Sequence, residues 1–183
     1  MEALTTNEIV ALFNLDERRV RKEVEHGVLG GASPPRYDLS AVVYLLTLAK
    51  IGFEITAVDD RKRLYALILG GITRLKTATI ALSPIAELKL GQLLSDVTDR
   101  IDRFLAWKRK LVASEHILGG EPVFPRSRLA VRHVGGMLLS GASIDEIRED
   151  YPYLSDDDLA FASMYARAYP PIGRPRERQA PAR

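Results

Sequence analysis

Apolar residues recur every three to four positions through most of the chain, the spacing that gathers them on one side of an α-helix. Ile9, Val10, Leu12 and Phe13 follow Thr5 and Glu8, whose separation is that of a capping box, and predict a short helix over 6–13. Asn14 and Leu15 form a turn, and Asp16 is the N-cap of a second helix over 17–25. Gly27 ends that helix in a left-handed conformation. Two short helices joined so closely are the helix-turn-helix pattern. A Gly/Pro-rich loop over 30–35 leads to Arg36 and Tyr37, then to a helix over 39–50 and another over 57–69, closed by Gly70 and Gly71. Thr77, Thr79, Ile80 and Leu82 predict a strand, Ser83-Pro84 a turn, and the alternation from Ile85 to Leu90 a second strand.

A helix over 92–112 carries the clearest stripe of the chain. Leu90, Leu94, Val97, Ile101, Phe104 and Leu111 share one face with Lys108 as its polar break, while Asp96, Asp99, Arg100, Asp102 and Arg103 cover the other. A stripe this narrow either seats on the core of its own chain or pairs with its twin. The second alternative makes Leu94, Val97, Ile101 and Phe104 a dimer contact, and it is the one expected here. Beyond it, a Gly119–Pro122 turn introduces an alternating run of Val123, Phe124, Leu129 and Val131, broken at Pro125. Three more helical patterns follow, separated by Gly141 and by Tyr151-Pro152. Ser143 and Glu146 form a second capping box, and Ser155 caps a last helix opened by Asp156, Asp157 and Asp158. Leu159, Ala162, Met164, Tyr165 and Ala168 are its packing face. The fold class is mainly α with small β-hairpins.

Composition narrows the function classes. With 46% apolar and 27% charged residues the chain has globular composition, and its apolar runs, such as 41–46, are far shorter than a membrane-spanning helix. No basic-then-apolar leader opens it, so a cytoplasmic protein without membrane contact is expected. The absence of cysteine removes disulfides, thiolate metal sites and a thiol nucleophile. His26, His116 and His133 are scattered, and Gly30-Gly31 and Gly135-Gly136 lack the flanking residues of a phosphate loop. No catalytic, metal or cofactor site is expected, and a non-enzymatic protein is the outcome.

Net charge is only +2, so a nucleic-acid role must rest on local clustering of cations. The second helix carries Arg18, Arg19, Arg21 and Lys22, of which Arg18, Arg19 and Lys22 share the face opposite Leu15, Val20 and Val24. Asp16, Glu17, Glu23 and Glu25 offset these charges, which leaves a solvated helix with internal ion pairs as the plain alternative. The continuation decides between them. Arg21, Gly27, Leu29, Arg36, Tyr37, Gly52 and Phe53 stand in an order that resembles the DNA-binding head of the MerR and excisionase-like winged helix-turn-helix proteins, over roughly the first 68 residues. It departs from them in Lys22-Glu23-Val24, where an aromatic pair is usual, and in a short wing. The resemblance implies that the second helix enters the major groove of operator DNA with Arg18, Arg19, Arg21 and Lys22. Arg36 and Tyr37 would serve on the wing, and a homodimer would span a two-part site.

The stretch from Ile117 to Phe124 (ILGGEPVF), then Ser127–Val131, Leu138-Leu139, Gly141–Ile147, Asp150–Leu154 and Met164–Ala168, resembles the "domain of unknown function 433" family. It departs at Arg126, where Gly is usual, and at Ala130, where Pro is usual. That family consists of small antitoxin-like modules grouped with VapB-type proteins. The resemblance implies a three-helix, helix-turn-helix-like bundle and a cognate toxin of the PIN-like (VapC-type) ribonuclease class. Three aspartates at the start of its last helix would be repelled by phosphate, so this half is expected to contact protein instead of DNA. The basic, Pro-rich tail would either remain a solubilising extension or place Arg174, Arg176 or Arg178 in the carboxylate cluster of the toxin.

The expected organisation is a winged helix-turn-helix domain over 1–70, a hairpin and dimerisation helix over 71–113, an antitoxin-like module over 114–170 and a flexible tail over 171–183. The expected function is that of a type II antitoxin that neutralises its toxin and represses its own operon. The alternative is a stand-alone MerR-like regulator whose C-terminal module dimerises or senses a ligand.

Overall fold

The local capping signals set the first two helices. The Thr5 hydroxyl accepts the Glu8 N–H at 3.2 Å and the Glu8 carboxylate accepts the Thr5 N–H at 2.8 Å, which opens α1, Thr6–Phe13. Asn14, in the left-handed region at φ 52°, ends it. Asp16 then accepts the N–H groups of Arg18 and Arg19 to start α2, Glu17–Glu25. Gly27 closes α2 at φ +64°, with its N–H on the Val24 carbonyl and that of Val28 on the Glu23 carbonyl, a Schellman ending.

The structure, a computed structural model, describes residues 2–31, 33–51, 57–74, 79–83 and 86–170. Among these, eight α-helices and two small antiparallel strand pairs make a mainly helical molecule. After α2 come α3 (Leu39–Ile51), α4 (Val58–Arg74), α5 (Leu90–Lys108), α6 (Val131–Leu139), α7 (Ile144–Asp150) and α8 (Asp156–Ala168). Strand β1, Leu4–Thr5, pairs with β2, Arg36–Tyr37, and so ties the entry of α1 to the residues before α3. The expected hairpin is present as β3 (Thr79–Ser83) and β4 (Ala86–Lys89), with Leu90 already in α5. Its turn at Pro84, and the Gly52-Phe53 pair used in the sequence comparison, lie outside the described residues.

Three expectations are corrected. Gly70 and Gly71 do not end a helix, because α4 runs on to Arg74. Gly71 is instead a point of close approach, since a Cβ there would stand 2.7 Å from Leu90 Cδ2 and 2.9 Å from Ile80 Cδ1. The C-terminal end of α5 is earlier than expected, because Val112 leaves the helix to exchange backbone hydrogen bonds with Val123 at 3.0 and 2.9 Å. Finally, Leu94, Val97, Ile101 and Phe104 are not a free dimer face. They are 7%, 2%, 1% and 1% exposed inside a single chain, because α3 and α8 cover the stripe.

The segments divided at 70 and 113 in sequence share one buried cluster, running from Leu4 and Ile9 through Val42, Tyr44, Ile68, Ile101 and Phe104 to Phe161 and Tyr165. Helix α8 lies at its centre, packed against α6, α1 and α5. The contact with α6 is close enough that a Cβ on Gly135 would meet the Ala162 carbonyl oxygen at 2.2 Å.

Candidate functional site

Helix α2 is held by very little of itself. Of its nine residues Val20 and Glu23 are buried and Val24 is half-buried against the core, while the other six are exposed. Arg18, Arg19, Arg21 and Lys22 are all exposed, as their helical positions require. Arg21 is engaged by Glu17 one turn earlier at 2.5 Å. Arg18 and Lys22, also one turn apart, have no ion-pair partner among the described residues. Asp16 is occupied as the helix cap. The acidic residues that offset the charge of this helix in sequence are thus partly withdrawn from its outer face.

Arg36 is exposed beside β1, but Tyr37 is not available as a wing contact. It is 2% exposed, in the core beneath α1, and its hydroxyl accepts the Thr6 hydroxyl at 3.4 Å. The pairing of β1 with β2 turns alternate residues to opposite faces, so Arg36 faces solvent and Tyr37 the core.

Glu23, read in sequence as one of the acidic residues offsetting α2, is 2% exposed and joins three helices. One carboxylate oxygen accepts the Tyr44 hydroxyl of α3 at 2.7 Å, and the other accepts Arg61 Nη1 of α4 at 2.6 Å. Arg61 also reaches His26 Nδ1 at 2.9 Å, just past the end of α2. Burial, and then the neighbouring carboxylate, push the Tyr44 hydroxyl well above the usual tyrosine range, so it remains a donor. An open groove of about 720 Å³ beside this joint is lined by Arg18, Arg19, Lys22, His26 and Arg61 over Leu45 and Leu48.

A second buried polar cluster lies on the other side of α1. Glu8, 3% exposed, accepts Lys108 Nζ at 2.8 Å and the Tyr169 hydroxyl, while Lys108 also donates to Tyr169 at 2.6 Å. Burial alone would raise the Glu8 carboxyl, but Lys108, the Thr5 N–H and Tyr169 outweigh it and hold it below the ordinary glutamate range. Lys108, the polar break in the α5 stripe, is therefore where α1, α5 and the end of α8 meet. Pro170 follows on the lip of a groove lined by Asn7, Asn14, Arg21 and Arg167. Arg174, Arg176 and Arg178 lie outside the described residues, the last of which, Pro170, stands beside α1 and α2.

The three aspartates of α8 each have work within the chain. Asp156 pairs with Arg148, Asp157 with Arg103 at 2.5 Å, and Asp158 accepts the Trp107 indole N–H at 2.8 Å while capping its own helix. Trp107 stacks in turn among Phe104, Phe161 and Tyr165. Helix α8 packs against α1, α5 and α6, with Asp156, Ala160 and Arg167 left exposed. Among the described residues no group of three His, Asp or Glu side chains is placed to hold a metal ion, and no helix is long and apolar enough to cross a membrane.

Comparison with known proteins adds little functional information. An uncharacterized protein, y4eO, of Sinorhizobium fredii is 32% identical over 89 residues, covering 49% of this chain and 40% of that one. The chain thus spans about two-fifths of the length of that relative. No solved structure matches. Residues 112–166, the bridge at Val112 and helices α6 to the greater part of α8, match the family described as "Protein of unknown function (DUF433)", which agrees with the resemblance drawn from Ile117 onward.

Proposed function

We propose that the protein is a DNA-binding antitoxin: α2 docks on operator DNA, and the C-terminal end of the chain engages a ribonuclease toxin. The observation that carries the DNA half is the distribution of residues on α2. Arg18, Arg19 and Lys22 lie outward, while Val20 and Glu23 alone are buried. Arg36, exposed on β2, adds a further cation suited to a phosphate. The toxin half is supported by the resemblance of residues 117–169 to antitoxin-like modules. It is also supported by the basic composition of residues 171–183, which include Arg174, Arg176 and Arg178. In this reading one of those arginines occupies the carboxylate cluster that a PIN-like nuclease uses for its metal.

The first test is a gel shift on the promoter region of the gene, comparing wild type with an Arg18→Ala/Lys22→Ala protein. Loss of binding is expected, with a shallower dependence of log affinity on log salt, about 0.9 per phosphate contact removed. Retained binding with the wild-type slope would move the site off α2. Deletion of residues 171–183 is expected to abolish inhibition of the toxin and leave the gel shift intact, whereas full inhibition by the truncated protein would end the tail mechanism.

A further inference from the structure

We infer that Glu23 is the positioning residue of α2, fixing the angle at which this helix is presented through its bonds to Tyr44 and Arg61; the inference rests on the DNA-facing role proposed for α2. Two of the nine residues of α2 are buried, and one of the two is this carboxylate. Val20, with Val24 half-buried beside it, supplies apolar contact, which resists separation but permits rocking. Glu23 supplies direction. Its two oxygens are bonded to two different helices, Tyr44 on α3 and Arg61 on α4, and its own carbonyl accepts the N–H groups of Val28 and Leu29 as the chain leaves α2.

The energetics favour orientation over stability as the role. A buried ion pair gains little net stability over an apolar contact of the same size, because desolvation consumes most of the attraction. What it gives is geometry, since each carboxylate oxygen is held from a different helix, one by Arg61 Nη1 and the other by the Tyr44 hydroxyl. Arg61 Nε is buried without a partner, a cost borne in holding that arrangement. His26 on the second terminal nitrogen of Arg61 extends the grip past the end of α2. Base edges are read by side chains placed to within fractions of an ångström, whereas phosphates attract cations at any approach angle. Loosening the joint should thus damage sequence discrimination and spare non-specific binding.

The experiment uses the full chain and two DNA duplexes, one selected by the wild-type protein from a random-sequence pool and one scrambled. Glu23→Gln and the milder Tyr44→Phe, which removes one hydroxyl and serves if the first unfolds, are expected to weaken the selected duplex about tenfold. Affinity for the scrambled duplex should stay within about twofold, with its salt slope unchanged. A second readout needs no DNA. The chain has no cysteine, so spin labels at Glu25→Cys on α2 and Asp99→Cys on α5, both exposed, report the placement of the helix cleanly. The distance distribution between them should broaden in both variants while circular dichroism shows the fold intact. An unchanged distribution, or equal losses on the two duplexes, overturns the positioning role. Failure of the wild type to select any sequence, or undiminished binding by Arg18→Ala/Lys22→Ala, instead removes the DNA role of α2, and is seen without altering Glu23.

Discussion

Glu8 belongs to two structures at once, the capping box of α1 and the buried contact with Lys108 and Tyr169. Since its pKa is depressed in the folded chain, its contribution is present above the unfolded glutamate value and is lost as pH falls through the folded one. Glu8→Gln is therefore expected to cost about 1–3 kcal/mol at neutral pH. The difference from wild type should shrink below about pH 4.3, where the unfolded carboxyl begins to protonate. Urea denaturation at several pH values checks this, and a penalty independent of pH would show that the ionised carboxylate is not what matters. Arg126 makes a second case. It sits at φ +59°, a region where a side chain is strained and where the resemblance drawn from the sequence leads one to expect glycine. Arg126→Gly should raise stability by up to about 1 kcal/mol, the relief of strain exceeding the added freedom of the unfolded chain. A lower thermal midpoint would contradict it. The departure from the family pattern was visible in the sequence; that it falls on a left-handed residue was not, because φ is not written in residue identity.

At the scale of elements, caps and stripes were legible and partners were not. The boundaries of α1, α2 and α7 follow from Thr5, Asp16 and Ser143, signals that act within four residues. The α5 stripe was equally clear, but nothing in a stripe says whether a neighbouring helix or a second chain will cover it. Here the cover is intramolecular, and the aromatic side chains of α8 account for much of it. Gly135 lacks the flanking residues of a phosphate loop, yet it is what lets α6 and α8 approach. Ala162 and Ala166 of α8 stand directly over it. Gly135→Ala should lose about 1–3 kcal/mol even though alanine is the better helix former, because a backbone carbonyl cannot turn aside as a side chain can. Chemical denaturation reads the loss. A stabilised variant would mean that the two helices separate more easily than their spacing implies. Gly136, with open space around its Cβ position, is the internal control and should tolerate alanine.

For the whole molecule, the division into a front and a back half was readable as motifs, and the match over residues 112–166 bears out the family resemblance of the second. What joins the halves was hidden, since it depends on pairs 100 and 161 residues apart: Lys108 with Glu8, and Tyr169 with Glu8. Lys108 did stand out as a polar break, and a lone lysine on an apolar stripe is a legible sign that a buried carboxylate is waiting somewhere. Which carboxylate it is cannot be found by spacing, because Glu8 already had a local explanation as a cap. Glu23 was concealed in the same way, its charge accounted for by neighbours on its own helix. In both places a sufficient local reason masked a long-range one.

The Glu8–Lys108–Tyr169 contact also has a consequence for the order in which the protein comes into being. A ribosome delivers residues 6–25 before residues 156–169, yet α1 has α8 as a principal packing partner, and the residue that completes the Glu8 cluster is the last before Pro170. At the usual 5–20 residues per second, the whole of the described chain must be made before α1 can close against its partner. The contact of α1 with α8 is thus completed only once Tyr169 has been made, and a translation product interrupted before α8 would carry α1 without that partner.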